Sequence, residues 1–107
     1  MRIEILYFAG CPNHRQAVDR VSTILRQEAP AADLVQVEIK DAAMAQAMRF
    51  LGSPSVRIDG RDIEPAARSS QTFAMGCRVY ADQSGLAGVP PEEWIRAAVL
   101  EAKEKSL

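Results

Sequence analysis

The fold of this chain is decided by residues 3–14, which read IEILYFAGCPNH. An apolar run rich in β-branched and aromatic side chains ends at Ala9-Gly10, and a helical pattern begins after Pro12. Proline suits the first turn of an α-helix, because its missing N–H is not needed there. We therefore predict a strand, a tight turn and a helix, with Pro12 near the first helical position and Cys11 near the N-cap.

The predicted position of Cys11 bears on the ionisation of its thiol. A sulfur at the amino end of a helix faces unpaired backbone N–H groups, here those of Asn13 and His14, at the positive end of the helix dipole. Such an environment favours the thiolate, which is both the nucleophilic form of cysteine and a ligand for soft metals. The pattern predicts a reactive or metal-binding Cys11, and the alternative is a small buried apolar side chain.

Size and composition favour a single globular domain. The chain has 107 residues, of which 48% are hydrophobic and 25% charged, and its formal net charge is -1. This charge argues against nucleic-acid binding, since a nucleic-acid binder carries a basic face. No apolar stretch is long enough to span a bilayer, so no membrane partner is expected. With two cysteines and no signal peptide pattern after Met1, the sequence predicts a cytoplasmic protein whose thiols stay reduced.

Periodic apolar residues and their start and stop signals predict seven elements. They are a strand at 3–8, a helix at 14–28, a strand at 34–39, a helix capped by Asp41 and ended by Gly52, two strands around Asp59-Gly60, and a helix after Pro90-Pro91. A strand–helix–strand start implies a right-handed crossover and parallel pairing, whereas an Asp-Gly turn adds antiparallel strands. The expected fold class is α/β, a four-stranded mixed sheet in the order β-α-β-α-β-β-α with helices on both faces.

The segment from 66 to 89 has no clear periodicity and carries Cys77. Segments of this length without regular structure are usually functional or mobile. We interpret this one as a functional, irregular insertion within one domain at 1–107. Cys77 then has three candidate roles: a packed structural residue, a thiol that resolves a mixed disulfide at Cys11, or a second soft-metal ligand.

Three arginines near this segment also bear on the chemistry of a thiolate. Arg57, Arg61 and Arg78 would raise the positive potential if they lay beside Cys11. Charged side chains outside a periodic apolar pattern are usually solvated, and we interpret these three as surface residues.

The chain resembles the thioredoxin-like superfamily, on the motif CPNH at 11–14 after the first strand and Ser53-Pro54 before the third. It is similar in particular to small bacterial single-domain proteins with a Cys-Pro-Asn motif, some of them labelled alkylmercury-lyase-like. The resemblance covers residues 2–65 and, more loosely, the last helix. It implies a thioredoxin-like fold, a cis peptide bond at Pro54, and main chain beside Pro54 that is open to a substrate peptide or a mixed disulfide.

His14 stands where members of that superfamily usually carry a second cysteine or a serine. Dithiol cycling within the motif is therefore excluded, which leaves a monothiol motif with Cys11 as the nucleophile. The functional interpretation of His14 is a hydrogen-bond or charge partner of the Cys11 thiolate. The alternative is a solvent-facing helix residue.

Three hypotheses on function follow, with Cys11, Cys77, His14 and Pro54 as the predicted site residues. The first is a thiol-dependent redox protein, similar to thioredoxins and glutaredoxins, in which Cys11 attacks a disulfide of a protein or small molecule and glutathione or Cys77 resolves the adduct. In the second, Cys11 and Cys77 bind mercury, another soft metal or a metalloid. In the third, the domain is a non-catalytic interaction module. No resident cofactor is expected, and glutathione enters only as a co-substrate.

Overall fold

A computed structural model describes residues 1–105 as a mixed α/β fold. In chain order its elements are β1 (Arg2–Tyr7), α1 (His14–Glu28), β2 (Asp33–Glu38), α2 (Ala42–Ala47), β3 (Ser55–Ile58), β4 (Arg61–Asp62), a short 3-10 helix (Pro65–Ala67), β5 (Tyr80–Asp82), β6 (Gly85–Ala87) and α3 (Glu92–Lys105). Strands β1 to β4 form one four-stranded mixed sheet, whereas β5 and β6 form a separate hairpin. The predicted mixed sheet of four strands is therefore confirmed.

The sheet has the order β2-β1-β3-β4, with β1 parallel to β2 and antiparallel to β3. Because Leu6 pairs with Ser55, the loop that leaves β1 and the loop that enters β3 meet at one end of the sheet. Asp59 and Gly60 join β3 to β4 with φ values of 50° and 84°. Positive φ at both central residues is the geometry that an Asp-Gly hairpin turn requires.

Helices cover both faces of the sheet, and the alternation of side chains along the strands decides which face each residue meets. On one face the strand residues pack against α1 and α3, in a core that includes Ile3, Ile5, Val56, Ile58, Val21, Ile24, Ile95 and Val99. On the other face a smaller cluster holds α2 and the chain that follows it, through Leu6, Ile39, Ala45 and Phe50. Within residues 1–105, every helix is too short or too polar to cross a bilayer.

Helix α1 covers the predicted residues but begins later than its proline suggests. Its N-cap is Asn13, so Cys11 and Pro12 both precede the cap. The N–H of Cys11 donates to the carbonyl of Phe8 at 3.2 Å, and the N–H of His14 donates to the carbonyl of Cys11 at 3.4 Å. The N–H groups of Cys11 and His14 therefore take part in two successive turns that come before the helical hydrogen-bond pattern. The predicted helix start at His14 is confirmed, and Cys11 and Pro12 lie just before the N-cap rather than at the cap and the first helical position.

Helix α2 begins where predicted and ends early. The carboxylate of Asp41 accepts from the N–H of Met44 at 2.8 Å, which is the expected N-cap. The helix ends at Ala47 rather than near Gly52, because Arg49 takes a left-handed conformation, with φ of 57°. The N–H of Phe50 then donates back to the carbonyl of Ala45 at 2.8 Å, a closure that turns Phe50 into the core.

Candidate functional site

The loop of Cys11 is tied to the loop that enters β3. Cys11 is a free, half-buried cysteine whose N–H donates to the carbonyl of Phe8. The N–H of Phe8 donates in turn to the hydroxyl oxygen of Ser53 at 3.4 Å. Phe8 therefore links Cys11 to the residue that precedes Pro54.

Cys77 reaches the same serine from the other side. The N–H of Ser53 donates to the carbonyl of Gly76 at 2.8 Å, and the carbonyl of Ser53 accepts from the N–H of Arg78 at 2.9 Å. Ser53 and Cys77 thus form an isolated parallel β-bridge, in which Cys77 is free and exposed. Gly52 permits this approach, since a Cβ there would lie 3.0 Å from the Cβ of Arg78. The segments of Cys11 and Cys77 meet at one end of the sheet.

Pro54 lies between these two segments and is fully buried. Its peptide bond with Ser53 is cis, as the resemblance implies. The main chain beside it, predicted to be open to a partner, is instead engaged by the chain itself, because both the N–H and the carbonyl of Ser53 bind residues 76–78. The carbonyl of Pro54 also has an internal partner, the hydroxyl of Tyr80, which donates to it at 2.6 Å.

Arg78 holds the segment of Cys77 in place through a buried ion pair. Its side chain is only 7% exposed, and its guanidinium binds both carboxylate oxygens of Asp62, at 2.6 and 2.9 Å. It also donates to Glu64 and to the hydroxyl of Ser55, each at 3.0 Å, and lies 4.6 Å from the ring centre of Tyr80. Burial opposes the charge of Arg78, but the hydrogen bonds to Asp62 and Glu64 raise its pKa above the ordinary value. The prediction that Arg78 is a solvated surface residue is wrong.

Tyr80 closes this cluster on the side of α3. Its ring is buried against the edge of Trp94, with centroids 6.2 Å apart. Burial raises the pKa of Tyr80 well above the ordinary value, although the charge of Arg78 acts in the opposite direction. The phenol therefore stays protonated and serves as the donor to Pro54.

The segment after Tyr80 returns to the loop of Cys11. Gly88 lies so close to Asn13 that a Cβ at this position would collide with the asparagine side chain. Residues 76–88 therefore meet the loop that enters β3 at Ser53 and the loop of Cys11 at Asn13. Segment 66–89 contains a hairpin, β5–β6, of which the sequence suggests only a short strand at residues 78–80, and β5 begins at the last of these.

A surface groove of about 370 Å³ opens between the two cysteine segments. Phe8 and Ala9, just before Cys11, line one part of it, and Met75, just before Cys77, lines another. The side chain of Met75 is 39% exposed. Glu38, Ile39 and Lys40 also line the groove, so it presents both apolar and charged groups.

His14 has a different environment from the one predicted. Its ring stacks on Tyr7, with centroids 3.6 Å apart and planes inclined by 7°. Its Nε2 atom lies 2.7 Å from the amide oxygen of Gln36, to which it donates because that oxygen can only accept. These contacts anchor the start of α1 to β1 and β2, and a role for His14 beside the Cys11 thiolate stays a prediction.

A metal centre would have few ligands in this part of the protein. No group of three or more histidine, cysteine, aspartate and glutamate side chains is arranged to hold a metal ion anywhere in residues 1–105. A site made by Cys11 and Cys77 would have two protein ligands.

Sequence reasoning missed the cluster around Arg78 because its partners are distant along the chain. The one local signal is the alternation in Arg78-Val79-Tyr80, where Arg78 and Tyr80 are buried and Val79 is 60% exposed. Period-two alternation of this kind is typical of an extended segment. This alternation places the side chains of Arg78 and Tyr80 on the same side of the extended segment.

Comparison with protein families, curated proteins and solved structures finds no match to this chain. The fold and the site themselves define its class, a mixed α/β protein with two free cysteines on segments that meet at one end of its sheet.

Replacement of Arg78 by methionine is expected to lower the free energy of unfolding by about 3–5 kcal/mol, because it leaves the carboxylate of Asp62 buried without its partner. Equilibrium unfolding in urea measures this change. Arg96→Met is the matched control, since Arg96 pairs with Glu28 and Glu92 at the surface, and its effect is expected to be small. Equal losses in the two variants would contradict the buried ion pair.

Tyr80 makes stability depend on alkaline pH. The folded protein retains the phenolic proton at pH values where an unfolded tyrosine, with a pKa of about 10, releases it. Stability is therefore fully present below about pH 10 and is lost as the pH rises above it. Urea unfolding between about pH 8 and about pH 11 measures this loss, which is expected to be smaller in Tyr80→Phe. The same slope in wild type and variant would refute the assignment.

Proposed function

We propose that the protein is a thiol-dependent redox protein of the thioredoxin-like type, with Cys11 as the nucleophile and Cys77 as the resolving thiol. The observation that carries the proposal is the β-bridge between Ser53 and Cys77. Ser53 also binds Phe8, whose carbonyl accepts from the N–H of Cys11. A resolving thiol must approach the sulfur that it attacks, and segments that share Ser53 support such an approach.

The order of the strands supports a thioredoxin-like arrangement of this site. In the sheet, β1 is parallel to β2 and antiparallel to β3, and β4 lies at the edge next to β3. The loop that leads from β1 into α1 carries Cys11. This loop is partly accessible to solvent, as a nucleophile requires. The groove beside Phe8 and Met75 offers apolar contacts to the residues that flank a partner's disulfide.

The reaction consists of two thiol–disulfide exchanges. The Cys11 thiolate attacks one sulfur of the partner's disulfide, which forms a mixed disulfide and releases the other partner sulfur as a thiolate. The Cys77 thiolate then attacks the sulfur of Cys11 and releases the second partner thiolate. The partner has gained two electrons and takes two protons from solvent, while the protein holds a Cys11–Cys77 disulfide. Two molecules of glutathione or a similar thiol reduce that disulfide and leave as glutathione disulfide.

In this proposal Pro54 and His14 have a structural role, since they position the segments that carry the two cysteines. Pro54 is buried, and its carbonyl accepts from Tyr80, so it holds Ser53 between the two cysteine segments. His14 fixes the first turn of α1 against Tyr7 and Gln36. Neither side chain needs to exchange a proton with sulfur.

Oxidation by glutathione disulfide tests the proposal. Wild type is expected to lose two hydrogens in its intact mass as the internal disulfide forms, and to regain them with excess thiol. Cys77→Ser is expected to stop at a stable glutathione adduct on Cys11, because the resolving thiol is absent. Peptide mapping by mass spectrometry locates the adduct. If wild type accumulates two separate adducts and no internal disulfide, Cys77 is not the resolving thiol.

The same two thiols are the donor set of the alternative function, binding of a soft cation. Titration with mercuric ion separates a two-thiolate site from binding at one cysteine. Cys77→Ser and Cys11→Ser are both expected to bind the ion much more weakly than wild type. Affinity that is equal in wild type and in Cys77→Ser would reject the two-thiolate site.

A further inference from the structure

A cavity of about 340 Å³ lies at the β4 edge of the sheet, where four arginine side chains contribute to its lining. The lining includes Arg49 after α2, Arg57 on β3, Arg61 on β4 and Arg68 after the 3-10 helix, together with Ser70 and Phe73. These residues come from separate segments, so the fold brings their charges together.

Neutral groups hold several of these guanidinium groups in place. Arg57 donates to the carbonyl of Arg49 at 2.6 Å, and the Nε of Arg68 donates to the carbonyl of Asp62 at 2.7 Å. The guanidinium of Arg49 lies over the ring of Phe73, 4.9 Å from its centre. Backbone carbonyls and an aromatic ring fix the positions of Arg57 and Arg49 without cancelling their charge, whereas Arg68 also pairs with Glu101.

Carboxylates near the cavity are already engaged. The carboxylate of Asp62 binds Arg78 through both of its oxygens. Glu101 is shared by Arg61 and Arg68, each 3.6 Å from the same oxygen. The lining itself holds four arginines and one carboxylate, that of Asp62, so positive charge is in excess there.

Burial is the main reason why the pKa of Arg57 lies below its ordinary value. Among the nearby charges, Asp62 and Glu4 raise this pKa, and the smaller effects of Arg78 and Arg49 lower it. A bound anion would favour the charged form of Arg57.

Arg49 carries an additional cost at this cavity. Its φ of 57° belongs to the left-handed region, in which glycine is the usual residue after a helix. An arginine in this conformation costs conformational energy that glycine would not. Strained residues of this kind cluster at ligand-binding sites, and Arg49 lines the cavity, with its guanidinium over the ring of Phe73.

We propose that this cavity binds a phosphate group, either as free phosphate or as the terminal group of a small phosphate ester. Guanidinium groups match the oxygens of phosphate with two hydrogen bonds at once. Leu51 and Phe73 add an apolar part to the wall, which suits the organic part of an ester. The site is separate from both cysteines and does not depend on the redox proposal.

Isothermal titration with inorganic phosphate and with phenyl phosphate tests the site, with sodium chloride at matched ionic strength as the reference. Wild type is expected to bind phosphate, and Arg57→Gln is expected to bind it about tenfold more weakly, because a charged hydrogen bond is lost. Arg15→Gln is the matched control, since it removes the same charge from the exposed side of α1. It is expected to bind phosphate like wild type, as is Cys11→Ser.

Arg49→Gly provides a second variant with opposite effects on stability and binding. Its unfolding midpoint without phosphate is expected to equal or exceed that of wild type, whereas its phosphate affinity falls about tenfold. Tighter binding of phenyl phosphate than of phosphate identifies an ester site, and equal binding identifies a site for free phosphate. The proposal is overturned if phosphate acts only as chloride does, or if Arg57→Gln and Arg49→Gly bind it like wild type.

Discussion

The burial of Arg78 is the constraint on which the arrangement of the cysteines depends. A guanidinium that leaves water must recover its lost hydration through charged and polar partners. Arg78 does so with Asp62, Glu64 and Ser55, and with the ring of Tyr80. The three polar partners lie on β3 (Ser55), on β4 (Asp62) and just after β4 (Glu64). The ion pair therefore fixes the segment of Arg78 against one end of the sheet.

The exposure of Cys77 follows from that burial. Residues 76–80 run as an extended segment along Ser53 and Pro54, and successive side chains of an extended segment point to opposite sides. With Arg78 and Tyr80 turned inward, Cys77 and Val79 must turn outward, and both are exposed. In an ordinary surface cysteine, no neighbouring contacts would fix the position of the residue. Cys77 is instead held next to Ser53, by a pair of main-chain hydrogen bonds and by the buried charge of its neighbour.

What the sequence predicted well is local. The extent of α1, the Asp41 cap and the Asp59-Gly60 turn depend on residues a few positions apart, and periodicity and turn chemistry report on such distances. The start of α1 at His14 is also as predicted, whereas Cys11 lies before the N-cap. Pro12 is compatible with a helix start but does not compel one, and the N–H of Cys11 donates instead to the carbonyl of Phe8.

Features that join distant parts of the chain escaped prediction. Arg78 and Asp62 are 16 residues apart, and no pattern in the sequence reports a pair at that distance. The early end of α2 has a similar cause, because Phe50 must enter the core against Leu6 and Ile39. That packing forces the preceding Arg49 into a conformation that glycine would accept more easily. Tertiary packing overrides local preference at this position.

The same ion pair also reaches the wall of the arginine cavity. Asp62 belongs to both regions, since its carboxylate binds Arg78 while its carbonyl accepts from Arg68 at the cavity wall. Because Arg78 is buried, it binds both carboxylate oxygens of Asp62, and Asp62 acts on Arg57, its partner across β3 and β4, through its charge. The buried Arg78 therefore turns Cys77 toward solvent and also occupies the carboxylate of Asp62 at the wall of the arginine cavity.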